Sequence, residues 1–254
     1  MIESKAMAYV NMFGVLGALE NLCVMDKPAK KILAGLKKPV SLCFSVKGGP
    51  CATFHFTASG CRMAEGDESC TCKMVFPGPE AFNALIDKSK PGIPTKNPVQ
   101  VLSFLMGPFT ALTNRLTELL RPDKKALEDP AFFEESTILT MYTIAGAISA
   151  LANTDPISRI SAENTVDGEV QLGIADKVAV TVAVRNHRFT TIKAPSQNPR
   201  ATMEFASVAL AHDLFNGTAA TMNEMCKGNI RLRGMISMVD NINRILDRVG
   251  KYLA

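Results

Sequence analysis

Tryptophan is absent from this 254-residue chain, and only three tyrosines and three histidines occur. So few flat rings argue against a platform for stacking nucleic-acid bases. Charge points the same way, because 28 basic and 24 acidic side chains leave a net +4, a small surplus for a phosphate-backbone partner. His55, His187 and His212 are scattered, and none has the spacing of a catalytic triad or a metal-binding helix. His212-Asp213 reads as local polar decoration. No cysteine pair has the CxxC spacing, and no nucleophile elbow, dinucleotide fingerprint or paired-carboxylate motif appears. Gly48-Gly49 marks a turn, since no Lys-Ser/Thr follows to make a phosphate loop. These absences predict no catalysis, no cofactor and no bound metal.

A membrane-spanning run of roughly 20 apolar residues is also missing. Residues 137–152 come nearest and lack a basic flank. The apolar stretch in residues 1–25 follows Glu3, is interrupted by Asn11 and leads to no small-residue cleavage pattern. Both stretches are expected to be buried core helices, and the protein to be cytoplasmic.

What the chain does have is an internal repeat. Phe76 and Phe205 lie 129 positions apart, Leu85-Ile86 falls on Leu214-Phe215 at that spacing, and Asn114–Glu118 falls on Asn243–Asp247. Ala18–Asn21 matches Ala150–Asn153 at 132, a shift that one small loop change would accommodate. The expected organisation is two units, 1–128 and 129–254, each near the usual size of an independent domain. With 47% hydrophobic residues, each can bury a core.

Periodicity orders the second copy. An apolar helix near 135–152 precedes a strand over Val166–Ile174. Val178–Val184 and His187–Ala194 form a hairpin with Asn186 near its turn, and Ala201–Phe205 is a further strand. A helix over Ser207–Phe215 stops at Asn216-Gly217, and a second covers about 218–226. Ile230 and Leu232 alternate with Arg231 and Arg233. Ile236, Val239, Ile242, Ile245, Leu246, Val249 and Leu253 trace one face of a terminal helix.

The run from Asp213 to Val249, with Lys227-Gly228-Asn229-Ile230-Arg231-Leu232-Arg233-Gly234 at its centre, resembles the sterol carrier protein type 2 family. That family's pattern is a short helix ending in Gly, a helix, a Gly-x-Ile-x-Leu-x-Gly strand and a closing helix. The resemblance covers most of residues 133–254 and, through the repeat, extends more weakly to 5–124. It implies an α+β fold of two sterol-carrier-like units, the first degenerate. Each would be a roughly five-stranded sheet covered by helices around an apolar cavity for fatty acids, acyl-CoA, sterols or other lipids.

In the first copy Val101 and Ser103 stand where Ile230 and Leu232 stand in the second, while Leu102 and Phe104 replace the two arginines. Read as a strand over residues 99–105, this segment has an apolar outer face in need of cover. Its helical reading rests on the spacing of Leu102, Leu105, Met106 and Phe109.

Six of seven cysteines, Cys23, Cys43, Cys51, Cys61, Cys70 and Cys72, lie in the first copy. Cys70 and Cys72 share a face of a predicted strand, a placement open to a metal or redox role; the plainer reading is buried, reduced thiols. Met222, Met225, Met235 and Met238, with Met63, Met74 and Met106 in the first copy, suit either ordinary core or an adaptable cavity. Lys27, Lys30, Lys31, Lys37 and Lys38 surround Ile32, Leu33 and Leu36. This is either a solvated helix face or an element that touches anionic membrane.

The sequence therefore predicts binding and intracellular transfer of a lipid or similar apolar molecule in an internal cavity, without any chemistry. The ligand-contacting residues expected in the second copy are Phe189, Met203, Phe205, Leu214, Phe215, Met222, Met225, Met238 and Ile242. In the first they are Phe54, Phe56, Met74, Phe76, Phe82, Leu85 and Phe109. A homodimer is compatible with this reading. Two alternatives stand beside it: an accessory scaffold that binds a partner chain through apolar faces, and a thiol-dependent enzyme or sensor.

Overall fold

The computed structural model of the chain describes residues 2–87 and 98–253, with the side chains of all but 98–100. Two compact units result, Met1–Glu135 and Ser136–Ala254. The division falls inside one long helix, Pro130–Thr154.

The first unit opens with helix α1 (Ser4–Met25), long and apolar enough to cross a membrane, yet 61% of its apolar window is buried. Its second and third turns are irregular, a π segment over Val10–Val15 and a 3₁₀ turn over Leu16–Ala18. Asn11, 4% exposed, donates from the π segment to Asn83 Oδ1 at 3.0 Å, and Asn83 donates onward to the Ser4 carbonyl. A buried amide so paired avoids the desolvation cost that an orphan would carry. Helix α2 (Lys27–Ala34) follows, capped by Asp26, whose side chain accepts the Ala29 N–H. Then come β1 (Val40–Val46), β2 (Cys51–Thr57), β3 (Gly60–Glu65) and β4 (Cys72–Phe76), in the order β3-β2-β1-β4. β1 pairs antiparallel with β2 and parallel with β4. Helices α3 (Pro79–Ile86), α4 (Pro98–Phe104) and α5 (Thr110–Leu120) complete the unit.

The strand expected over residues 99–105 is instead helix α4, continued by a π turn over Leu105–Phe109 that contains Pro108. Burial shows why: Val101 and Phe104 are buried while Leu102 and Ser103 are exposed, a helical spacing rather than an alternating one. Phe104 packs on Phe56 with ring centroids 5.2 Å apart, and Phe109 lies 5.9 Å from Phe56. Four strands, not five, make this sheet among the described residues, and the argument from an exposed apolar strand face falls away.

The second unit takes most of α6 (Pro130–Thr154), then α7 (Pro156–Glu163), β5 (Gly168–Ile174), β6 (Val178–Arg185), β7 (Arg188–Ile192) and β8 (Ala201–Phe205). Helices α8 (Val208–Phe215) and α9 (Thr221–Cys226), β9 (Ile230–Gly234) and α10 (Ile236–Leu253) follow. The sheet order is β7-β6-β5-β8-β9. Its first four strands repeat the order and directions of the other unit, so both units are α+β with one sheet backed by helices. Asn186 and His187, with φ of 49° and 59°, form the tight β6–β7 turn.

Structure refines the internal alignment. Thr53 donates to the Gly66 carbonyl and Thr181 to the Ala194 carbonyl, partners that match at 128 positions on both sides. Asp26 and Asp155, both buried N-caps, match at 129. Glu20 accepts the Met63 N–H, and Ser149 bonds Thr191, again 129 and 128 apart. The offset of 132 expected for Ala18–Asn21 is therefore corrected. The match of Arg115 to Arg244 changes too. Arg115 holds Asp26 at 2.9 Å as Arg248 holds Asp155 at 2.9 Å, one helical turn later than the sequence alignment placed it.

Candidate functional site: an apolar pocket in the second unit

β5 alternates Val170, Leu172 and Ile174 toward the helices, and the parallel register sets Leu172 beside Met203 and Ile174 beside Phe205. Met141, Ile144 and Ile148 on α6 recur at helical spacing, and Ile242 and Leu246 do the same on α10. Phe215, at the end of α8, meets Phe205 edge to face with centroids 5.7 Å apart. These side chains line a pocket of about 10 Å³, no larger than a single water requires. Every lining residue is apolar, so the pocket offers burial and no chemistry.

The chain beyond α8 is thinly anchored. α9 has no buried residue, Met222 is 69% exposed, and Met225, Leu214 and Phe215 are half-buried. Gly217 (φ 69°) and Gly228 (φ 77°) bracket α9 in left-handed conformations that side chains adopt only with strain. Few buried contacts between two such joints describe a segment of low local stability. Asn229 donates to Glu224 at 2.7 Å and Thr218 N–H to the Asp213 carbonyl at 2.8 Å, bonds local to the two ends of this segment.

Of the residues the sequence proposed for this copy, Met203, Phe205, Phe215 and Ile242 line the pocket. Phe189 and Met238 are buried elsewhere in the unit, Leu214 and Met225 are half-buried, and Met222 faces outward. Met141, Ile144, Ile148, Leu172 and Leu246 also line it. The α6 residues were hidden because that helix is apolar all round and shows no preferred face in its sequence.

In the first unit Phe54, Phe56, Met74, Phe76 and Phe82 are buried, and Leu85 and Phe109 are half-buried. Phe44 sits among them, with centroids 5.7 Å from Phe54, 6.3 Å from Phe82 and 6.1 Å from Phe109. Such ring pairs each contribute about 0.5–1.5 kcal/mol beyond area burial, which favours a filled aromatic core here. On α2, Ala29 and Leu33 are buried while Lys27, Lys30 and Lys31 are exposed, the pattern of a helix with one packed and one solvated face.

Elsewhere in the second unit, Asp155 is 1% exposed. Burial alone would raise its pKa. Arg248, the Ser158 N–H, the Tyr252 hydroxyl and the Ser158 hydroxyl more than offset that and hold the carboxyl well below its usual range. The bonds are 2.9 Å from Arg248 Nη2, 2.9 Å from Ser158 N and 2.8 Å from Tyr252 Oη. This cluster fastens α7 to α10 and neither opens to the pocket nor offers a reactive group.

No protein-family model matches the chain, and no curated protein does. Among solved structures, a crystal structure of sterol carrier protein 2 is 16% identical, covering 43% of this chain and 92% of its own, with a TM-score of 0.34. A protein described as "UbiJ-SCP2 Ubiquinone synthesis protein" is 12% identical over 41% of this chain and 93% of its own, TM-score 0.33. Sterol carrier protein 2 from Yarrowia lipolytica, in its apo form, is 14% identical over 40% of this chain and 92% of its own, TM-score 0.31.

Proposed function

We propose that the second unit binds an apolar chain-shaped molecule, a lipid or an acyl ester, in the pocket between its sheet and helices. The observation that carries this reading is the wholly apolar pocket lined from β5 and β8 on the sheet and from α6, α8 and α10 among the helices. At about 10 Å³ the pocket is too small for such a chain, so uptake requires its lining to yield, beginning with half-buried Phe215 at the end of α8, two residues before Gly217. Each methylene then removed from water contributes about 0.8 kcal/mol. Flexible Met141 and Met203 can adapt to chains of different shape. The resemblance of Asp213–Val249 to the sterol carrier pattern agrees with this reading. Intracellular transfer, a cytoplasmic location and salt-sensitive contact of Lys27, Lys30 and Lys31 with anionic membrane belong to the same proposal.

Native mass spectrometry of the purified chain, followed by organic extraction, tests it. The expected result is one lipid per chain, either retained or taken up from a panel of fatty acids, acyl-CoA esters and sterols. Ile242→Trp, which fills the pocket, should abolish uptake. A chain that stays bare against the whole panel refutes the reading. The small pocket volume would then favour the second one, a scaffold whose collapsed interior serves only stability.

A further inference from the structure

The outer face of the first unit's sheet, away from its helices, carries a cluster that the sequence did not bring together. Cys43 lies on the central strand β1, Cys51 begins β2, and Asp67 and Cys70 sit on the β3–β4 connection. Cys70 had been grouped with Cys72. The structure separates them, because Cys72 starts β4 opposite Leu42, is buried, and points to the helix side.

Cys43 Sγ, an Asp67 carboxylate oxygen and Cys70 Sγ all lie within 4.8 Å of one another. Cys43 Sγ is 4.0 Å from Cys51 Sγ and 3.4 Å from Asp67 Oδ1. A tetrahedral zinc site with ordinary bond lengths has sulfur–sulfur edges of about 3.8 Å and sulfur–oxygen edges of about 3.5 Å. The two measured edges already have those lengths.

The surroundings hold the groups in place. The Asp67 oxygen turned away from Cys43 is bound by the Lys73 ammonium, an outer contact of the kind that orients a ligating carboxylate. Thr53 Oγ1 accepts the Glu68 N–H at 3.1 Å and donates to the Gly66 carbonyl at 3.0 Å. At the other end Thr71 N–H donates to Ser41 Oγ at 2.9 Å. The connection is thus clamped on both sides of Asp67 and Cys70. A cation seated among two thiolates and a carboxylate offsets their mutual repulsion. The second unit has no counterpart, because Gln171 and Ala179 stand 128 positions after Cys43 and Cys51. Gln171 instead accepts the Ser196 N–H at 3.0 Å.

We propose that Cys43, Cys70 and Asp67 bind a thiophilic d¹⁰ cation of the zinc class on the outer face of the first unit's sheet, with Cys51, 4.0 Å from Cys43, as the fourth ligand once it turns toward the other two. Cys43, Cys70 and Asp67 supply three ligands and a turn of the Cys51 side chain supplies the fourth, so the site is structural, tying the β3–β4 connection to β1 and β2. Because bound cysteines are thiolates, uptake releases protons and tightens as pH rises.

The test uses the full chain, reduced and freed of metal. Titration with Co²⁺ should saturate at one equivalent with a thiolate-to-cobalt charge-transfer band, and Zn²⁺ should displace that band. Removing an outer-shell partner typically lowers metal affinity about 10–100-fold, so Cys43→Ser and Cys70→Ser should each lose more than about 100-fold. Cys226→Ser, an exposed cysteine of the second unit, should leave the titration unchanged. Zn²⁺ should also protect Cys43, Cys51 and Cys70 of the unmutated chain from alkylation, and not Cys61. That readout is independent of whether the variants fold. Absence of the cobalt band, a band that survives both Cys43→Ser and Asp67→Asn, or a Cys43–Cys51 disulfide in the native chain would each overturn the proposal.

Discussion

Arg248→Met isolates the buried pair that fastens the terminal helix of the second unit. The substitution keeps an apolar stem of similar length and removes the charge. Asp155 then retains the Ser158 N–H and hydroxyl and the Tyr252 hydroxyl. It loses two guanidinium bonds of 3.2 and 2.9 Å and with them the charge that offsets its burial. Stranding one member of a buried ion pair costs about 3–5 kcal/mol. Because the chain has two units, a single melting temperature would mix their responses. Hydrogen exchange followed by mass spectrometry resolves them by peptide. Protection over β5, β8 and α10 should fall by roughly two to more than three orders of magnitude, at about 1.4 kcal/mol per decade. Peptides from β1 and β2 should hold their rates. Asp155→Asn combined with Arg248→Met should lose less than Arg248→Met alone, since no buried charge is then left unpaired. Acid gives a second handle. A carboxyl held below its usual pKa contributes stability that is fully present above the ordinary carboxylate range and is lost as pH falls toward the folded-state value. The second unit of the unmutated chain should therefore weaken below about pH 4, and Asp155→Asn should flatten that dependence. A loss under about 1 kcal/mol for Arg248→Met, or equal losses in both units, would refute the reasoning.

Gly234→Ala should destabilise the β8–β9 end by at least about 1–3 kcal/mol, because Gly234 has φ 79° and an added Cβ would lie 2.2 Å from the Arg200 carbonyl oxygen; urea unfolding read by exchange at β9 checks it. Asn153 bonds both the N–H and the carbonyl of Phe189 on the edge strand β7, at 2.9 and 2.8 Å. Asn153→Leu should accordingly cost about 1–3 kcal/mol and speed exchange at the Phe189 amide. In the pocket, Ile242→Ala should enlarge the cavity and cost about 2–5 kcal/mol. A saturating apolar ligand should restore part of that loss, and hydrogen exchange over the second unit with and without ligand measures the recovery.

Local signals carried much of the fold. The β6–β7 hairpin, the stop at Asn216-Gly217 and the amphipathic α10 were legible because each depends on neighbouring residues: a turn with positive φ, a helix end, a stripe at helical spacing. The repeat was legible too, although matching letters placed Arg115 against Arg244, whereas the bond to Asp26 or Asp155 aligns Arg115 with Arg248. Residues 98–104 defeated sequence reading since a short apolar run fits both periods, and the packing of Phe104 and Phe109 on Phe56 decided it.

The sequence by itself determined that this chain is two α+β units with strands and helices in a repeated order, because hydrophobic periodicity and turn residues act over a few positions. Only the tertiary structure decided which side chains meet. It gathered Met141, Leu172, Phe215 and Ile242 around one small pocket, set Cys43, Cys51, Asp67 and Cys70 on one sheet face, and paired Asp155 with Arg248 from 93 positions away. Strand register and helix docking fix those meetings, and both are set by the whole core rather than by any local stretch of chain.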